Sequence, residues 1–166
     1  AETIWPAQCV TLAISDIPGD DLSVIASGPM EPDETTFEEA LAILSKYHID
    51  EPRSIIEFLT SNNPETPKPG NRIFKRIHSH LISTPQRSLE AAATTARQHG
   101  FTPLILGDAI EGEAQEVARV LAGITKQVVR HGQPIPRPCV LLSGGETTVT
   151  VNGNGRGGRN AEFLLS

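Results

Sequence analysis

Cysteine is nearly absent: the 166 residues hold only Cys9 and Cys139. They lie far apart and outside any Cys-x-x-Cys pattern, which excludes a disulfide-dense secreted framework and a cysteine-based zinc site. Two isolated thiols fit a reducing, cytoplasmic location. Positive charge is also short, with 14 Lys and Arg against 20 Asp and Glu and a net charge of −6. The pI lies near 5.3. The basic residues are scattered and no basic run alternates with aromatics, so no nucleic-acid partner is expected. No apolar run approaches the ~20 residues that a membrane span needs. The first residues lack a positive region followed by an apolar stretch, so no signal peptide is expected. The chain starts at Ala1 rather than Met, and its last apolar run is cut off at Ser166. Both suggest a piece of a longer polypeptide.

Short apolar runs alternate with longer amphipathic ones, the pattern of an α/β layered fold. Strands are expected at 9–15, 80–83, 102–107, 139–143 and 147–151, the last from its β-branched content. Helical spacing covers 37–47, 54–60, 86–99 and 111–131. Gly100 and Gly132 follow the last two as stop signals. Residues 61–71 carry three prolines and a glycine and read as an exposed connector, because proline cannot donate to a helix or a central strand. Residues 133–138 form a second proline-rich link.

Two segments gather chemistry where strands are expected to end, the place ligands bind in open α/β sheets. The first, residues 15–29, holds Ser15, Asp16, Asp20, Asp21, Ser27 and Gly28. Carboxylates and hydroxyls suit a magnesium ion that carries nucleotide phosphates, with Asp16 and Asp20 as metal candidates. A plain turn with a capping Asp and Ser is the alternative. The second segment, residues 143–162, holds Ser143, Gly144, Gly145, Glu146 and Thr147, then Arg156, Gly157, Gly158, Arg159, Asn160 and Glu162. Glycines let backbone amides approach an anion, two arginines add charge, and a helix expected near Asn160 would add amide donors. Gly153 to Gly158 also fits the dinucleotide pattern Gly-x-Gly-x-x-Gly, a weak match alone. A glycine-rich hairpin turn is the alternative. His78 and His80 would share a strand face and offer two metal ligands without a third. Asp108 and Glu111 read as caps at a helix start, with a ligand role open. No Ser-His-Asp set can be assigned.

Together, Ser15-Asp-Ile-Pro-Gly-Asp-Asp21, Ser27-Gly-Pro29 and Pro32-Asp33 resemble the signature of the glycerate 2-kinase family that carries a C-terminal MOFRL domain. Ser143-Gly-Gly-Glu-Thr-Thr-Val-Thr-Val151 and Gly157-Gly-Arg-Asn160 with Glu162 resemble the opening of that MOFRL domain. The branch nearest in pattern is the one named for hydroxypyruvate reductase in tartrate degradation. The resemblance implies a Rossmann-like layered sheet with helices on both faces over 1–132, then a linker and the start of a second α/β domain over 133–166. It implies phosphoryl transfer from ATP to D-glycerate, giving 2-phosphoglycerate, with Mg2+ as cofactor. Arg159 would stabilise the transferred phosphoryl. Asp16, Asp20 and Asp21 would stand near metal or substrate, and Glu146 and Thr147 would face the same cleft. Ala161 departs from the family's usual Gln, which puts one ligand contact in doubt.

Two other functions remain open at this level. One is NADH- or NADPH-dependent reduction of hydroxypyruvate to glycerate, for which no proton donor can be identified. The other is a non-catalytic binding module. In every case the partner is a small molecule, and a homodimer is an open expectation.

Overall fold

The fold, taken from a computed structural model, is described for residues 1–61 and 63–166; Asn62, inside the expected connector, lies outside the described residues. It is α/β. In chain order come β1 (Cys9–Ile14), α1 (Phe37–Lys46), α2 (Arg53–Thr60), β2 (Ile77–Ser83), α3 (Pro85–Gln98), β3 (Thr102–Glu113), α4 (Ala114–His131), β4 (Cys139–Thr148) and α5 (Arg159–Leu165). β1 pairs with β2, and β3 with β4. The chain divides into two compact units, residues 1–13 with 22–80 and residues 14–21 with 81–166.

In the first unit, α1 starts at a capping box. Glu39 N–H donates to Thr36 Oγ1 at 3.2 Å, and Thr36 N–H donates to the Glu39 carboxylate at 2.8 Å. Both amides would otherwise be orphaned at the helix start. α1 packs on α2, with the Phe37 and Phe58 rings 5.7 Å apart. The described residues of the proline-rich connector form no helix or strand, as expected. They are nonetheless pinned: Thr66 Oγ1 donates to Asp33 at 2.6 Å, and Glu65 accepts from Phe37 N–H at 3.0 Å. Lys68 bridges Glu65 at 2.8 Å.

In the second unit, β3 and β4 run parallel from Thr102↔Cys139 to Glu113↔Thr148, with register shifts flanking Gly107. α3 and α4 both pack on this pair. α3 buries Leu89 and Ala93, and α4 buries Ala114, Ala118 and Val128. These spacings are helical, and the small alanines let the backbones come close. Each apolar carbon so removed from water contributes about 0.8 kcal/mol.

The structure corrects several expectations. β3 continues past Gly107 to Glu113, so Asp108 and Glu111 lie in a strand and cap no helix; α4 starts at Ala114 rather than 111. β4 runs unbroken from Ser143 through Gly144, Gly145 and Glu146, which were expected to separate two strands, to Thr148, and residues 149–151, expected in the second strand, lie outside any strand. The glycines that suggested breaks are used inside the pair instead. Gly107, Gly112 and Gly145 take φ of 153°, 115° and 142°, values that accommodate the irregular register without ending the strands. β1 was expected to be buried, yet Val10, Leu12 and Ile14 point outward at 61%, 63% and 64% exposure. No helix among the described residues is long and apolar enough to cross a membrane.

Candidate functional site

The carboxyl end of the β3–β4 pair carries most of the expected site. Gly145 stands where a Cβ would fall onto the Ile110 backbone, and at Gly144 a Cβ would lie 3.5 Å from Leu89 and 3.6 Å from the Asp108 backbone. Gly145 is therefore accounted for by the approach of β3, whereas at Gly144 a Cβ would make only ordinary van der Waals contacts. Beyond them, Ser143, Gly144, Gly145, Thr147, Asn160 and Phe163 line a cavity of about 180 Å³ together with Ile110, Val117 and Leu121. Glu146 forms an ion pair with Arg159, the first residue of α5. The two side chains are 43% and 47% exposed, so the guanidinium stays open to a ligand. Between them, residues 149–158 span without regular structure.

Gly153, Gly155, Gly157 and Gly158 have nothing within 4 Å of a Cβ. Packing does not demand glycine there, in contrast to Gly145, and all four residues are exposed. Arg156 is exposed and makes no ion pair among the described residues. The expected helix near Asn160 exists, but α5 has only 7 residues and is too short to serve as an anion site by its dipole. Glu162 N–H is spent on the Gly158 carbonyl at 2.9 Å. Any anion here would be held by arginines and loop amides. The dinucleotide expectation for Gly153 to Gly158 also fails on geometry. That motif needs a tight turn from strand directly into helix, whereas β4 ends at Thr148 and α5 begins at Arg159.

The acidic turn belongs to the same unit. Ser15 is 5% exposed; its amide donates to the Ser83 carbonyl at 2.9 Å and its hydroxyl to the Ile17 carbonyl at 3.3 Å. The serine thus shapes the turn. Asp16 is exposed, as is Asp21. Asp20 sits in the left-handed region at φ 57°, and its Oδ1 is buried with no hydrogen-bond partner among the described residues. A non-glycine residue there carries strain of about 1 kcal/mol or more, and an orphaned carboxylate oxygen has lost its water. No hydrogen bond or ion pair links Asp16 or Asp20 to residues 143–162 among the described residues. No group of three or more metal-ligating side chains forms among them either. Asp20 nevertheless suits magnesium, which keeps waters and takes only one or two carboxylates plus substrate phosphates.

Ser27 and Gly28 lie in the other unit. Ala26, Ser27 and Gly28 are successively left-handed, at φ 51°, 63° and 54°, and a Cβ on Gly28 would fall onto Ser23. The turn lines a cavity of about 740 Å³ with Asp33, Thr35, Thr66 and Phe74. This is the larger cavity, but its one strongly perturbed group is engaged internally. Hydrogen bonds from Thr66 first, then Thr35, with Lys68 nearby, lower the Asp33 pKa from 3.8 to about 2. His78 and His80 both stand exposed on β2, with no third ligand grouped with them.

Sequence reasoning missed Glu113. Its carboxylate accepts from Thr150 Oγ1 at 2.7 Å and from Thr150 N–H at 3.2 Å. The glutamate was hidden inside an expected helix. The alternation of Ile110 and Gly112 with Glu111 and Glu113 was the available sign that the strand continues.

The chain's first 60 residues match a domain of unknown function, DUF4147, and residues 139–166 match the MOFRL family. An Agrobacterium vitis relative named "Putative hydroxypyruvate reductase" is 51% identical over 168 residues, covering 100% of this chain and 37% of the relative. The D-glycerate 2-kinase of Thermotoga maritima is 41% identical over 166 residues, covering 100% of this chain and 38% of the kinase. The crystal structure of Thermotoga maritima glycerate kinase superposes with a TM-score of 0.78 at 40% identity, over 99% of this chain and 38% of that one. The chain spans about two fifths of the length of these relatives. Along its whole length, then, the chain is similar to part of proteins named glycerate 2-kinase and putative hydroxypyruvate reductase, and its residues 139–166 match the MOFRL family.

Proposed function

We propose that this chain forms part of a glycerate 2-kinase, which moves the γ-phosphoryl of ATP to the 2-hydroxyl of D-glycerate. The hydroxyl oxygen bonds to the γ-phosphorus as the bond to the departing ADP oxygen breaks, and the hydroxyl proton passes to a carboxylate or to water. Such transfer asks for positioning and charge stabilisation more than for covalent chemistry. The observation that carries the reading is Arg159. Glu146 steadies its guanidinium, and its neighbour Asn160 lines a cavity shared with Ser143 and Thr147. Arg156 and the exposed residues Gly153 to Gly158 add to a surface suited to phosphate oxygens.

Asp20, with Asp16 and Asp21 in the same turn, is the proposed carboxylate for magnesium, which would neutralise charge on the phosphates. Ser27 and Gly28 are carried as substrate-binding residues on the resemblance alone. The domain division proposed is a Rossmann-like first part over 1–132 and the start of a MOFRL domain over 133–166. The family matches at 1–60 and 139–166 support it. A cytoplasmic location and a homodimeric assembly belong to the same reading, the latter checked by sedimentation of the full-length protein. Hydroxypyruvate reduction is disfavoured, because its proposed dinucleotide loop lacks the strand–turn–helix form.

The test is ADP release by the full-length gene product with magnesium-ATP and D-glycerate, with NADH oxidation by hydroxypyruvate run beside it. Glycerate-dependent ADP release with a silent NADH assay supports the kinase. NADH oxidation without ADP release overturns it.

A further inference from the structure

We infer that Glu113 is a positioning residue for the glycine-rich segment, acting through Thr150; the inference rests on the kinase reading for what that segment does. Three observations converge. First, Glu113 ends β3 directly opposite Thr148 on β4, so its carboxylate stands beside the point where β4 stops. Second, both of its oxygens are used on Thr150: Oε1 takes the hydroxyl at 2.7 Å and Oε2 takes the amide at 3.2 Å. A longer approach from Thr148 Oγ1, at 3.5 Å, falls on the same Oε1. Third, Glu146 on β4 holds Arg159 at the far end of the segment, and Glu146 is in register with Glu111 of β3.

Two carboxylates on neighbouring strands thus fix the two ends of residues 150–159. Between the anchors, residues 151–157 make no hydrogen bond among the described residues, and Val151 is 80% exposed. Residues 151–158 include four glycines, and a Cβ on any of them would meet nothing within 4 Å. A chain with that much backbone freedom is placed by its ends alone. Glu146 can hold Arg159 at the correct height only if the other end leaves β4 in the correct direction, and Glu113 sets that direction. Charge-assisted bonds from a carboxylate to an amide and a hydroxyl are the stronger kind. Glu113 touches no expected ligand, so its effect would reach the reaction through Arg156 and Arg159.

The test uses the full-length gene product and four variants: Glu113→Ala, Thr150→Val, Thr150→Ser and the Glu113→Ala/Thr150→Val pair. Two readouts are taken, kinase kinetics and the rate at which trypsin cuts after Arg156, which tracks the freedom of the segment. Glu113→Ala is expected to lower kcat about 10- to 100-fold, the cost of a misplaced catalytic group. The KM for glycerate should stay within about twofold, as for an interaction that matters beyond ground-state binding. Cleavage at Arg156 should accelerate, and the melting midpoint should move by no more than about 4 °C. Thr150→Ser should match the parent in both readouts, since it keeps the hydroxyl and the amide. The paired variant should be no worse than the worse single one, because both remove one contact.

Unchanged cleavage and unchanged kcat in Glu113→Ala would overturn the inference, as would additive losses in the pair. Absence of kinase activity in the parent would overturn the proposed function instead; the Arg156 cleavage rates would then still decide whether Glu113 anchors the segment.

Discussion

Arg159, the first residue of α5, is paired with Glu146 near the end of β4. Both side chains are close to half exposed, and ion pairs in that setting contribute roughly 0 to 1 kcal/mol to stability. Loss of the guanidinium should therefore show in turnover far more than in folding. Arg159→Ala is expected to lower kcat of the full-length protein about 10³-fold, the worth of a positioned arginine in phosphoryl transfer. Thermal melts beside initial rates check this, and parent-like turnover would remove Arg159 from the site.

Asp20 gives a prediction of opposite signs. Its left-handed backbone suits glycine better than any L side chain. Asp20→Gly should leave stability equal or raise it by up to about 1 kcal/mol. The same change removes the carboxylate proposed for magnesium, so the magnesium concentration for half-maximal activity should rise. A magnesium titration and a denaturant titration of one sample separate the two effects. An unchanged magnesium requirement would return Asp20 to a turn role.

The Asp33–Thr66 bond predicts an acid weakness in the first unit. The Asp33 pKa is lowered on folding, from 3.8 to about 2. Its stabilising contribution is thus complete above about pH 4 and lost as pH falls from there toward 2. The side chain is 39% exposed, so screening reduces the effect to about 1 kcal/mol. Melting midpoints between pH 5 and 2 should fall more steeply in the parent than in Asp33→Asn. Parallel curves would show that Asp33 is uncoupled from folding.

Gly145 and Gly155 should answer substitution in contrasting ways. At Gly145 an added methyl meets the Ile110 backbone, which cannot swing aside as a side chain can. Gly145→Ala is expected to cost about 3 kcal/mol or more. Gly155→Ala faces open space and should stay within about 0.5 kcal/mol of the parent. Gly155→Val should weaken nucleotide binding while glycerate binding holds. Denaturant midpoints and ligand titrations distinguish these outcomes.

Helices were the legible part of the sequence, because their signals are local. The apolar spacing over 37–47 marks α1, and Gly132, read as a stop signal, takes the left-handed conformation where α4 stops. Strand ends were not legible. Gly107, Gly112 and Gly145 have the composition of turns, and only the partner strand shows that they sit within a parallel pair. For the site, Arg159 and Asp20 stood out by type and setting. Glu113 did not, since what distinguishes it is a bond to Thr150, 37 residues away. Pairings of that separation leave no trace in a local pattern.

The β3–β4 pair places two kinds of glycine within fourteen positions of one another, and they would answer to different selective pressures. A survey of variants ranked by how much folded protein accumulates in cells would single out Gly145 and pass over Gly153, Gly155, Gly157 and Gly158. The same survey ranked by growth on the substrate would find the latter four as well. Read alone, the first ranking would call four of these five glycines dispensable.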